Sequence, residues 1–289
     1  MYDRGLSVLE QYGLTAKSSY RGRGALLCQT EKGLLILREF RGSAKRLEKQ
    51  REFLLQVQKQ SGENVDQILV NQAGELVSVD KEGIPYVLKN WYEGKECDTK
   101  SQEDVIKSVE ALARLHRVMK LPVCEEYVAE PLDEEYLRHN RELRRIQKFI
   151  RKKGAGNSFE KAYLSSVEWF LERGTQALKR LETSGYQQLR QTALEEGSIC
   201  HGEYNQHNVL MLKRGTAVTN FEKWSFDVPM ADLYRFMRKV LEKNNWDVSL
   251  AREILKAYHR QKPLTAAELE NLQIRFSYPE KYWKLGNYY

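Results

Sequence analysis

Residues 199–224 read ICHGEYNQHNVLMLKRGTAVTNFEKW. A His-Gly-acid step (His201, Gly202, Glu203) is followed by an amide, Asn208. Two short apolar runs then flank Lys213-Arg214-Gly215. Short apolar runs around a glycine-bearing turn predict a hairpin, 208–213 against 216–221. Pairing across Arg214-Gly215 brings Asn208 near Asn220. If 218–222 is extended, alternate side chains share a face, so Glu222 lies on the same side as Asn220. The stretch therefore predicts a loop and a hairpin that gather two acids and two amides.

Outward from the hairpin the chain reads as helical. Helices are predicted near 133–153, 158–183, 229–244, 247–260 and 265–275. SQEDVIKSVEALARLH, 101–116, opens on the cap signal Ser101-x-x-Asp104. Val105, Ile106, Val109, Leu112 and Ala113 then follow the 3.6 period. The first ninety residues differ. ALLCQT and GLLILREF are joined across Glu31-Lys32-Gly33, a hairpin signal. A strand over Leu14 to Tyr20 precedes them, with RGRG (21–24) as its turn. SAKRLEKQREFLLQVQKQSG is a helix, capped by Ser43 and stopped by Gly62. GELVSVD and IPYVLKNW form a further hairpin around Lys81-Glu82-Gly83. The expected fold is α+β, with a small antiparallel sheet lobe carrying one helix and a larger helical lobe. The expected division is 1–92 and 93–289.

The bulk numbers fit this picture. The chain has 289 residues, 41% hydrophobic and 30% charged, enough for two lobes sharing a cleft. No apolar run approaches the roughly 18 residues of a membrane span. The start, MYDRGLSVLEQYGL, lacks an apolar segment of the secretory type. Cys28, Cys97, Cys124 and Cys200 are far apart and form no CxxC pair, so they read as reduced thiols in a cytoplasmic protein. The net charge is +7, and much of the excess lies in RHNRELRRIQKFIRKKG, 138–154. Leu143, Ile146 and Ile150 give that helix a core stripe, and its basic side is read as a solvated face or a site for an acidic partner. Nothing matches a nucleic-acid-binding module, so nucleic acid is not an expected partner.

Taken together, HGEYNQHN resembles the HGDxxxxN catalytic loop of the aminoglycoside and choline kinase superfamily. NFEKWSFDVPMADL resembles the segment that follows it there, and EALARLH resembles the helix end that precedes it. EKGLLILREF and NWYEGKECD are most similar to the spore-coat CotS-type proteins of endospore-forming bacteria. The resemblance covers nearly the whole chain. It implies a bilobal, protein-kinase-like fold with a catalytic loop at 201–208 and a metal-loop segment at 218–222.

The resemblance assigns roles and exposes departures. Asn208 matches the metal-binding loop Asn. Glu203 stands where an Asp would accept the substrate proton, and its extra methylene displaces the carboxylate. Arg38 stands where a strand Lys would hold phosphates, and a planar fork does not reproduce an ammonium. Asn220 stands where a second metal-binding Asp would be. Mg²⁺ is usually bound through carboxylates, so this change is the gravest, and only Glu222 is left to supply one. Glu48 or Glu52 is the candidate partner of Arg38, with Glu52 favoured. Trp91 and Tyr92 fall where a hinge would contact adenine, or else pack between the lobes. Asp232 either ties the catalytic loop to the next helix or is a first-turn acid. Arg21 and Arg23 are read as turn residues before phosphate ligands. No cofactor is fixed by these residues, and ATP with Mg is the one the resemblance allows. Two functions follow. The first is a catalytically degenerate coat protein that binds other coat or morphogenetic proteins, recruited from the cytoplasm to the spore coat of the mother cell. The alternative is an active ATP/Mg-dependent small-molecule phosphotransferase.

Overall fold

The structure, a computed structural model, describes residues 5–289; the first four residues of the stretch read as no signal sequence lie outside them. A 3₁₀ segment, Leu6–Tyr12, precedes β1 (Ser18–Gly22), β2 (Ala25–Thr30) and β3 (Gly33–Glu39). Then come α1 (Ala44–Ser61), β4 (Asn64–Val65), β5 (Ser78–Val79), β6 (Pro85–Asn90) and β7 (Lys95–Glu96). The helical part holds α2 (Gln102–Val118), α3 (Leu132–Lys153), α4 (Ser158–Thr183) and α5 (Tyr186–Glu195). It is interrupted by β8 (Ile199–Cys200), β9 (Val209–Met211), β10 (Thr216–Val218) and β11 (Ser225–Phe226). The chain continues through α6 (Met230–Lys243), α7 (Val248–Gln261), α8 (Ala266–Ser277) and α9 (Glu280–Asn287).

The front sheet is antiparallel in the order β1-β2-β3-β6-β5. The α+β, two-lobed fold is therefore the observed one. A second sheet, β4-β10-β9-β7, takes β4 and β7 from before the helices and the other two strands from the 199–224 stretch. The predicted hairpin forms in register, with Met211 opposite Thr216 and Val209 opposite Val218. Gly215 turns it at φ 77°, a conformation that favours glycine.

Caps behave as the sequence predicts. Ser43 accepts from the Arg46 N–H and Ser101 from the Asp104 N–H. Gly62 ends α1 at φ 67°. Three features differ. The first strand begins at Ser18, because Val8, Leu9, Tyr12 and Leu14 instead form an apolar knot with Leu26, Cys28 and Leu37. Helices α5 and α9 lack a predicted counterpart, because short helices with one or two buried residues produce no apolar period. The segment 218–222 is not extended: Asn220 is left-handed (φ 66°, ψ 58°) and Phe221–Lys223 is a 3₁₀ turn.

One apolar core joins the two lobes. Phe53, Leu54 and Val57 of α1 pack with Val105, Val109 and Leu112 of α2, and with Tyr204, Phe221 and Trp224. All four cysteines are free thiols.

Candidate functional site

The loop before β9 is held from below. Asp232, at the start of α6, accepts from the N–H groups of His201 (2.6 Å) and Gly202 (3.0 Å). His116, at the end of α2, lies 3.3 Å from the same carboxylate and 2.8 Å from the Tyr258 hydroxyl. Burial pushes the Asp232 carboxyl up, but the His116 hydrogen bond and its other neighbours outweigh this and hold it low. Asp232 thus ties the loop to α6. His201 is fully buried with Nε2 3.0 Å from the Thr219 carbonyl, a structural position. Gly202 sits at φ 80°, where a Cβ would meet the Lys223 carbonyl at 1.9 Å.

The two amides meet as the hairpin requires. Asn220 Nδ2 donates to Asn208 Oδ1 (2.7 Å), and Asn208 Nδ2 donates to the Glu203 carbonyl (2.9 Å). Arg38 Nη1 donates to Asn220 Oδ1 (3.1 Å) and lies 3.9 Å from Glu222 Oε1. Arg38, Asn208, Asn220 and Glu222 therefore share one site. Glu203 joins it through its backbone, and its side chain is exposed.

At the centre is a residue that sequence reasoning missed. Lys89, on β6 beside β3, is only 5% exposed. Its ammonium donates to Asp66 Oδ2 (3.1 Å) and Glu222 Oε1 (2.6 Å). Asp66 also accepts from the Asn220 N–H (3.0 Å). Burial works against the Lys89 charge, but Asp66 and Glu222 outweigh it and raise its pKa. Partial burial pushes Glu222 up, yet the Lys89 ammonium brings it down to about 2. Asp66 is raised, because its complete burial outweighs Lys89. The available signals were a lone Lys in the apolar run PYVLKN and a lone Asp in NVDQILV.

Helix α1 does not supply the expected acid. Its buried side is Leu47, Gln50, Phe53, Leu54 and Val57. Glu52 lies off that stripe and pairs with Lys49 at 3.1 Å, while Glu48 lines a separate cavity against residues 74–77. Arg38 instead meets Asn220 and Glu222, both from the other lobe.

Trp91 and Tyr92 pack between the two sheets. Trp91 is 8% exposed, in a cluster with Leu27, Ile36, Leu210 and Ala217. Tyr92 donates to the Val65 carbonyl (2.9 Å) and accepts from Asn90 (3.0 Å). Arg23, read as a turn residue, closes over them. Its guanidinium lies 5.6 Å from the Trp91 ring centre and donates to the His207 carbonyl (2.7 Å) and Glu96 (2.8 Å). The β1–β2 turn is thereby tied to the loop before β9.

The fold is that of the kinase-like phosphotransferases. An aminoglycoside phosphotransferase from Alicyclobacillus acidocaldarius is similar over 97% of this chain and 84% of its own, at TM-score 0.86 and 16% identity. The AMP-bound spectinomycin phosphotransferase APH(9)-Ia is similar over 98% and 87%, at TM-score 0.70 and 10% identity. The chain belongs to the family described as "Spore coat putative kinase YutH", which matches residues 6–289. It is also 26% identical over 132 residues to spore coat protein S of Bacillus subtilis (strain 168), a match spanning 45% of this chain and 38% of that protein's length. The resemblance to spore-coat kinase-like proteins is borne out. Among the described residues, no helix is long and apolar enough to cross a membrane.

Proposed function

We propose that this spore-coat family member keeps the kinase fold without the transfer step and acts by binding other coat or morphogenetic proteins. The observation that carries the reading is the Lys89 ammonium between Asp66 and Glu222. A divalent cation needs anionic oxygens, and phosphoryl transfer needs that cation to bridge phosphates. Here the carboxylates of Asp66 and Glu222 already neutralise a cation of the chain itself. Asn208 and Asn220 spend their facing groups on each other. This donor set does not fit Mg²⁺, and we derive no step through it.

Two further features support the reading. The Trp91 indole, which the resemblance places at a hinge beside adenine, is packed among Leu27, Ile36, Leu210 and Ala217. Arg23 bonds across the mouth to Glu96 and the 207 carbonyl, leaving its donors engaged with protein.

Thermal melting with ATP, with and without Mg²⁺ or Mn²⁺, tests the reading. Ligand selective for the folded state raises the melting point by mass action. We expect no metal-dependent shift at millimolar ATP. Asn220→Asp restores a carboxylate and should create such a shift, which Asn208→Ala then removes. The second reading, an active small-molecule phosphotransferase, draws on Glu222, whose partly exposed, ionised carboxylate lies beside Arg38. ATP-dependent phosphorylation by the unmodified protein, lost in Glu203→Gln, would establish it instead.

A further inference from the structure

Between α3, α6, α8 and α9 lies a cavity of about 160 Å³. It is below the roughly 300–1,000 Å³ of ordinary small-molecule sites, so only a ligand of a few heavy atoms fits. Two side chains on its wall are buried yet unpartnered. Arg275 of α8 is 6% exposed. Its Nε donates to Asn271 (2.8 Å), and its two Nη groups make no hydrogen bond or ion pair among the described residues. Neither Nη is sealed off by packing, and a side chain this buried keeps its remaining surface toward the cavity it lines. Tyr136 of α3 is 4% exposed, and its hydroxyl likewise has no hydrogen-bond partner and is not sealed off.

The neighbouring Glu135 lines the same cavity. Its carboxylate accepts no hydrogen bond among the described residues, and its one ion-pair neighbour there is His139 Nε2, at 3.8 Å. Burial, with the Arg138 charge beside it, brings His139 down to about 4, so that ring is neutral at pH 7. The other charges on the wall are engaged. Glu280 pairs with Lys284, and Arg235 donates to the Gly202 carbonyl. Asp227 and Glu135 act on Arg275 from a distance, but neither forms an ion pair with it. Asp227 faces Arg190 instead, at 3.8 Å. One cation and one anion of the chain thus line one small cavity without meeting each other, and an unpaired charge out of water is costly.

We infer that this cavity binds a small zwitterionic amino acid. The ligand's carboxylate accepts from the Arg275 Nη groups and the Tyr136 hydroxyl, and its ammonium donates to Glu135. Both ends then make charge-assisted hydrogen bonds. A simple carboxylate would leave Glu135 unmatched, and a simple amine would leave Arg275 unmatched. A metal ion would be repelled by the guanidinium. An amino acid as small as glycine has no hydroxyl to accept a phosphoryl group. The inference therefore goes beyond the function proposed above and depends on no transfer step.

Glycine is the probe, with acetate and methylammonium as its two halves. Each is titrated against the full chain without ATP and followed by saturation-transfer NMR of its own protons. The expected result is saturable binding of glycine, with acetate and methylammonium weaker by roughly tenfold or more. Glu135→Gln should weaken glycine by a similar factor while leaving acetate within about twofold, and Arg275→Met should weaken both. Glu135 is partly exposed, so its variant reports even if Arg275→Met does not fold. No saturable glycine signal, acetate or methylammonium binding as tightly as glycine, or glycine affinity unchanged in Glu135→Gln would overturn the inference.

Discussion

Lys89 carries its charge into a place that water scarcely reaches, and its two carboxylates decide what its removal costs. Breaking a buried ion pair from one side leaves an uncompensated charge, about 3–5 kcal/mol in comparable cases. Lys89→Met should therefore lower stability by about that much in urea unfolding, and adding Asp66→Asn should return more than half of it. A double variant no more stable than the single one would remove Asp66 from this account. The same cluster has a pH signature. Glu222 titrates near 2 in the folded protein against an ordinary value of 4.5. Its contribution is fully present above that ordinary value and is lost as pH falls from about 4.5 toward 2. Asp66, raised by burial, has the opposite sign. Glu222→Gln should flatten the acid limb of the stability curve, measured by chemical unfolding at stepped pH. The meeting of Asn208 and Asn220 was legible in the sequence because both lie on one short hairpin. Lys89 with Asp66 was not, because their partner Glu222 arrives from the other lobe. Glu52 misled because the charge fits the role while the helix face does not.

At the scale of elements, α3 and α9 show how a charged helix is divided between work and solvent. Arg138 pairs with Glu130 and Glu142, Arg151 with Glu168, and Lys153 with Glu160. Arg141, Arg144, Arg145, Lys148 and Lys152 remain exposed, as the sequence predicted for this face. Charge reversal at Arg144, Arg145 or Lys148 should each change stability by no more than about 0.5 kcal/mol. If this face holds an acidic partner, binding to extracted coat proteins should fall with salt, because exposed charges are screened over about 10 Å at 0.1 M. Binding that is indifferent to salt would exclude this face. The other side of α3 holds α9. Trp283 stacks on His139 at 3.4 Å and donates to Glu142 (2.6 Å). Trp283→Ala should cost about 3 kcal/mol in thermal or urea unfolding. The sequence showed the aromatic tail but not its register, since an eight-residue helix has too few turns to display a period.

Across the whole molecule, the second sheet is assembled from both sides of the helical boundary. β4 runs parallel to β10, and β7 pairs with β9. Arg114 of α2 is held by Glu63, between α1 and β4 (2.5 Å). The core that contains Phe53 and Val57 also contains Trp224. Unfolding should accordingly be one cooperative transition, with tryptophan fluorescence and far-ultraviolet dichroism giving the same midpoint. A fragment of residues 1–92 should not fold, since Phe53, Leu54, Val57 and Val65 would lose their cover. Two separated transitions, or a folded fragment, would show that the lobes are independent. The Lys89 ammonium also bears on how this joint is supplied. It is tethered to β6 by its own backbone, so its effective concentration beside Asp66 and Glu222 does not depend on what is dissolved outside. A bound ion in that place could be drawn off by a chelator or exchanged for another. A lysine is installed at translation and stays, and the two halves of the cleft are clasped from the moment the chain has folded.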